Sequence, residues 1–114
     1  MNHSDIAQLF SMLANETRVR LLEILKNKAL ACKNPELCDL SERCCNVTEL
    51  AEELGIALST TSYNIKELHR SGLVDTQRRG QKVYCSINEK VNGQIIDFFK
   101  ALVPQSNIID YKRE

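Results

Sequence analysis

The chain has 114 residues, 43% of them hydrophobic, and its 15 lysines and arginines balance 15 aspartates and glutamates to a net charge of +0. That is the size of one domain, and no apolar run approaches the ~20 residues of a membrane-spanning helix. The neutral balance gives no global attraction to phosphate, so only a local basic patch could serve a nucleic-acid role.

The N-terminus from Met1 to Asp5 has neither the basic region nor the apolar stretch of a secretion signal, so a cytoplasmic protein is expected. In that compartment its five cysteines are expected mainly as reduced thiols. A single domain this small has little spare stability, and pairing with a second copy is a live expectation.

Ile6, Leu9, Phe10 and Leu13 recur at i, i+3, i+4 and i+7 and predict a short amphipathic helix with Ser4 as its cap. Asn15 predicts the cap of a second helix through about Asn27, with Val19, Leu22 and Leu25 inward. Residues 29–45 have no clean period, contain Pro35 and hold Cys32, Cys38, Cys44 and Cys45. This segment reads as an irregular insert with one helical turn at most, and its length alone singles it out, since structureless loops beyond ~12 residues are uncommon and often functional.

Order returns at Asn46 or Thr48. Val47, Leu50, Ala51 and Leu54 make a helical stripe that Gly55 ends, and a further helix opens at Leu58 or Ser59 and runs to about Arg70, with Ile65 and Leu68 inward and Gly72 as its stop. Two such helices joined by a glycine-containing turn form a helix-turn-helix. Leu73 to Thr76, the turn from Gln77 to Gln81, and Lys82 to Ile87 predict a β-hairpin with a basic tip. Val91, Ile95, Phe98, Phe99 and Leu102 line one face of a last helix closed by Pro104, and the tail from Gln105 to Glu114 could dock weakly through Ile108, Ile109 and Tyr111. The expected organisation is mainly α with a small β-hairpin: one winged helix-turn-helix domain over residues 1–104, in the order α-α-α-α-β-β-α, with the insert at 29–45 and a tail at 105–114.

Charge is polarised along this order. Lys66, Arg70, Arg78, Arg79 and Lys82 outnumber Glu67 and Asp75 in the second half of the helix pair and the hairpin, whereas Glu36, Asp39, Glu42, Glu49, Glu52 and Glu53 face only Arg43 before it. Near the start of the second helix Ser59, Thr60, Ser62, Tyr63 and Asn64 are small or hydrogen-bonding, as groups that meet base edges and phosphates must be. Lys66 and Arg70 would hold the DNA backbone, and Arg78, Arg79 and Lys82 suit a wing lying on phosphate or in the minor groove. Taken singly, each of these is more often a solvated surface; their order and spacing carry the DNA-binding reading.

The run Met12-Leu13-Ala14-Asn15-Glu16-Thr17-Arg18-Val19-Arg20-Leu21-Leu22-Glu23-Ile24-Leu25 resembles the opening of the ArsR/SmtB repressors. Val47 to Glu52, Ser59 to Ser62 and Leu68 to Val74 resemble that family's two reading helices and the lead into its wing, so that the resemblance spans about residues 4 to 104 without the insert. It implies a transcriptional repressor bound to a double-stranded DNA operator, dimeric through the first and last helices. Two departures stand out: Tyr63-Asn64 occupies a place where members commonly carry two histidines, and Asn46 and Thr48 fall where sensors of the family carry paired thiolates. The family's other metal site, on the last helix, is missing as well, because Asn88 to Val103 contains no histidine.

Cys32, Cys38, Cys44 and Cys45 are nevertheless a candidate metal set. Thiolates favour soft ions, here arsenite or antimonite, Zn, Cd or Cu(I), or an iron-sulfur cluster, although adjacent Cys44 and Cys45 fit poorly on one small tetrahedral ion. A thiol-disulfide switch is the alternative, and incidental or purely structural cysteines a third. Cys85 reads as a packed thiol, and His3 and His69 are isolated, so neither is given a metal. Ordering of the insert would tilt the reading helices and lower DNA affinity. An enzyme is disfavoured, since a cysteine nucleophile needs a nearby histidine; a winged helix used only for protein contacts stays open.

Overall fold

The structure, a computed structural model, describes residues 2–34 and 36–103. Pro35, the proposed helix stop at Pro104 and the tail with Ile108, Ile109 and Tyr111 lie outside the described residues. The order is α1 (His3–Leu13), α2 (Glu16–Ala31), α3 (Leu40–Arg43), β1 (Cys45–Asn46), α4 (Val47–Leu54), α5 (Leu58–Arg70), β2 (Val74–Arg79), β3 (Lys82–Ile87) and α6 (Glu89–Leu102). The three strands form one antiparallel sheet in the order β1-β3-β2.

Helix starts follow local chemistry. Asn15 Oδ1 accepts from the Arg18 amide at 3.1 Å, and Asn46 and Glu49 make a reciprocal capping box at the head of α4. For α1 the cap is Asn2, in a box with Asp5, and not Ser4, which falls inside the helix. α2 runs four residues further than expected, to Ala31.

Of its expected inward residues Leu25 is buried and Leu22 packs against the core, but Val19 is not inward. Leu21 and Leu25, one turn apart, are fully buried, whereas Val19 is 48% exposed. Both choices satisfy helical spacing; the face that meets the sheet and α5 decides between them. The core joins Leu9, Leu21, Leu25, Leu50, Ile65, Leu68, Leu73, Val74 and Cys85, each buried leucine contributing roughly 2 kcal/mol of apolar burial.

The insert is more ordered than its sequence suggests. It holds the single helical turn of α3 and then the two-residue strand β1, whose Cys45 and Asn46 pair with Cys85 and Tyr84 of β3. The hairpin is tighter than expected, because β2 extends to Arg79 and leaves only Gly80 and Gln81 as the loop. Gly80, at φ 63, supplies the left-handed first position of such a two-residue turn. At Gly72 (φ 86) a side-chain Cβ would stand 3.2 Å from Val91 Cγ2, so glycine permits α6 to lie across the exit of α5.

Candidate nucleic-acid interface and thiol site

α4 and α5 meet through the three-residue turn 55–57, which Gly55 opens in the left-handed region at φ 67. Thr61, Asn64, Ile65 and Leu68 form the buried side of α5, with Thr61 Oγ1 donating to the Ala57 carbonyl at 3.1 Å. Ser59, Tyr63, Lys66 and Arg70 are all exposed; at about 100° per residue they fall in one stripe about 60° wide along the helix. Tyr63 is 59% exposed. Thr60 lies beside this stripe, exposed, and Ser62 is half-buried. Ala57 offers no side-chain cap to the first amides of α5, so these donors stay available to an anion.

Asn64 is the exception among the residues expected to face DNA. It is buried: its Oδ1 accepts from Arg18 Nε at 2.9 Å, and its Nδ2 donates to the Thr60 carbonyl at 2.9 Å. Arg18 also donates from Nη1 to the Met12 carbonyl at 3.3 Å. The amide of Asn64 is thereby spent on tying α5 to the α1–α2 junction, a partner 46 residues away that spacing within α5 gives no sign of.

At the hairpin Arg78, Arg79 and Lys82 are exposed, with Arg79 directly opposite Lys82. Two of the five basic groups already have acidic neighbours. Arg70 is bridged to Glu67 of its own helix, and Arg79 Nη1 stands 3.6 Å from Asp39 Oδ1 of the insert.

The four insert cysteines do not converge. Cys32 and Cys38 are joined as a disulfide with Cα atoms 6.4 Å apart, whereas Cys44, Cys45 and Cys85 are free thiols. Cys44 packs with Leu40 and Tyr84, while Cys45 joins the main core beside Cys85, as neighbours on extended backbone point to opposite faces. Burial pushes the Cys45 thiol up to about 11, with Glu49 adding to the effect, and burial pushes Cys85 up to about 12. Both are neutral thiols at physiological pH and poor ligands. Among the described residues no cluster of three or more His, Cys, Asp or Glu is placed to hold a metal ion, so the expected four-cysteine donor set does not fit one ion in this form.

A cleft of about 730 Å³ between α1, α5 and α6 is lined by Leu9, Met12, Arg18 and Val91 among others, with neither cysteine nor histidine. His69 Nδ1 lies 3.1 Å from the Val74 carbonyl, where the ring serves the turn into β2.

A helix pair with a short glycine turn, a polar outward stripe on its second helix and a basic two-stranded hairpin behind it define a winged helix-turn-helix domain. A family model described as a helix-turn-helix domain matches residues 13–77. The chain belongs to that family, as a winged-helix transcriptional regulator of the ArsR/SmtB type. It is 29% identical over 93 residues to the uncharacterized HTH-type transcriptional regulator YbzH of Bacillus subtilis (strain 168), covering 82% of this chain and 93% of that protein. It is 25% identical over 107 residues to a cadmium resistance transcriptional regulatory protein CadC homolog of Staphylococcus aureus, covering 94% of this chain and 75% of that protein. The homodimeric winged helix-turn-helix DNA-binding domain of Mb0332 from Mycobacterium bovis shares the fold with a TM-score of 0.61 at 23% identity, over 87% of this chain and 78% of that one. These relatives are regulators of transcription, not enzymes. Among the described residues no helix is long and apolar enough to cross a membrane.

Proposed function

We propose that the protein is a homodimeric repressor that holds a double-stranded operator through α5 and the β2–β3 wing and releases it when the thiol chemistry of the insert changes. The observation that carries the DNA reading is the division of α5: its inner side is sealed by Thr61, Asn64, Ile65 and Leu68, and Ser59, Tyr63, Lys66 and Arg70 are left outside on one stripe. Ser59, Thr60, Ser62 and Tyr63 would meet base edges and nearby phosphates. Lys66, Arg70, Arg78, Arg79 and Lys82 would hold the phosphate backbone.

The dimer rests on α6. It has no fully buried residue, and Ile96, Phe99 and Leu102 are each at least half exposed. Phe99 and Phe98 stack on Phe10 of α1, with ring centroids 5.5 and 5.9 Å apart. That apolar surface, continuous over α1 and α6, suits a second copy, and the Mb0332 domain is homodimeric.

The signal reading is supported by the Cys32–Cys38 bond. A repressor works where the DNA is, and in a cytoplasm kept reducing a disulfide is typically transient and signalling. A second reading, a thiophilic ion held by the insert once reduced, is favoured by the likeness to the cadmium resistance regulator. Reduction would supply two soft donors, Cys32 and Cys38, which leaves a tetrahedral site two ligands short; the redox reading is therefore the stronger.

Selection of bound duplexes from fragmented genomic DNA, followed by footprinting, tests the function. Two protected half-sites about 10 base pairs apart, centre to centre, are expected, with Tyr63→Ala weakening protection. Failure to enrich any duplex at low salt would refute it.

A further inference from the structure

The insert does not merely interrupt the chain before α4; it reaches the wing. Asp39 follows Cys38 directly and heads α3, its Oδ1 accepting from the Leu40 amide at 2.7 Å and its Oδ2 from Ser41 Oγ at 3.1 Å. The same carboxylate faces Arg79 of the wing at 3.6 Å. α3 itself rests on the sheet through Leu40 and Cys44, which pack on Tyr84. Between the end of α2 and this contact, a bond from Cys32, the C-cap of α2, to Cys38 cross-links the chain.

We propose that this bond sets an acidic brake on the wing: while Cys32 and Cys38 are joined, Asp39 is held against Arg79 and weakens the hold on DNA phosphate, and when they are reduced the brake slackens. The inference rests on the DNA-binding reading above and adds the direction of its control. Arg79 is one of the cations that the wing offers, and a carboxylate beside it both occupies the guanidinium and repels an incoming phosphate. The pair is well exposed, with side chains 59% and 61% accessible, so its strength is modest and depends on how firmly Asp39 is kept in place. Opening the bond returns freedom to the residues between α2 and α3, and the exposed pair then has to hold itself.

The chemistry is a two-electron exchange. Two thiols and one hydrogen peroxide give the disulfide and two waters: a thiolate takes one peroxide oxygen as a sulfenic acid with loss of water, and the second thiol displaces the other water as the S–S bond forms. A dithiol reverses it, transferring two electrons and two protons and leaving as its own disulfide. The other thiols stay apart from this exchange, because Cys44, Cys45 and Cys85 are buried.

The test is fluorescence anisotropy of the full chain on a labelled duplex at low salt, after peroxide or after dithiothreitol, with the bond state read by alkylation and mass. The reduced form is expected to bind more tightly, about three-fold for each wing and about ten-fold for a dimer that uses two. Asp39→Asn, which keeps a good helix cap, is expected to raise the oxidised form to the reduced affinity and erase the difference. Arg79→Gln should also erase it while weakening both forms. Equal affinities of the oxidised and reduced wild type would overturn the proposal, as would a difference that persists in Asp39→Asn. Absence of binding by every form would instead remove the DNA-binding reading beneath it.

Discussion

Lys82 offers the cleanest measure of the wing. It is exposed at the start of β3, and among the described residues it has no carboxylate within ion-pair distance, unlike Arg70 and Arg79. If it neutralises one phosphate, a dimer bearing Lys82→Ala loses two contacts, and the slope of log K against log salt becomes shallower by about 1.8. Carried from 1 M to 0.15 M salt with the non-electrostatic part unchanged, that is about a 30-fold loss of affinity. The electrostatic contribution is independent of sequence, so anisotropy titrations on an arbitrary duplex between 0.05 and 0.3 M salt, as an experimental range of the order used for such slopes, suffice. A variant whose slope matches the wild type would show that the hairpin tip does not touch DNA, whatever α5 does.

Phe99→Glu should dissociate the dimer by at least ten-fold, since it removes a half-exposed ring from the apolar face and leaves a charge there; sedimentation velocity against concentration reads this, and an unchanged dimer would move the interface elsewhere. Leu21→Ala should cost about 2–5 kcal/mol in chemical denaturation, whereas Val19→Ala should fall within about 0.5 kcal/mol of wild type; the reverse order would contradict the burial of α2. Stability should also fall at alkaline pH. Cys45 and Cys85 ordinarily lose their protons near 9.0 but in the fold hold them to about 11 and about 12, so well below pH 9 neither contributes a slope. Above it the unfolded chain deprotonates first, and stability drops by about 1 kcal/mol per thiol at pH 10. Denaturation midpoints in Cys85→Ala should show a shallower alkaline fall, and an identical fall would assign it to other groups.

What the sequence disclosed depended on how local each cause was. Asn15, Gly55 and Gly72 act on amides within a few residues of themselves, so the helix boundaries they set could be read directly. The exposed positions Ser59, Tyr63, Lys66 and Arg70 of α5 were legible for the same reason, since their period is internal to the helix, whereas Asn64 turns inward and Ser62 is half-buried. Val19 and Leu21 were not separable, because each continues a helical spacing and only the packed partner chooses. The fate of Asn64 depends on Arg18, and that of Cys32 on which of the other cysteines it meets; neither pairing leaves a trace in spacing. The two-residue β1 is too short for any alternation to announce it, and its existence comes from the free edge of β3.

With α6 as the dimer seam proposed above, occupancy of DNA would depend on how many copies a cell holds. Val91 and Ile95 of α6 lean on the protomer's own core, but Ile96, Phe99 and Leu102 gain cover only on meeting another copy, so melting temperature should rise with protein concentration, and regulation should steepen as the square of protein number where dimers are scarce. Small changes in synthesis or turnover would then be amplified at the promoter before any chemical signal arrives.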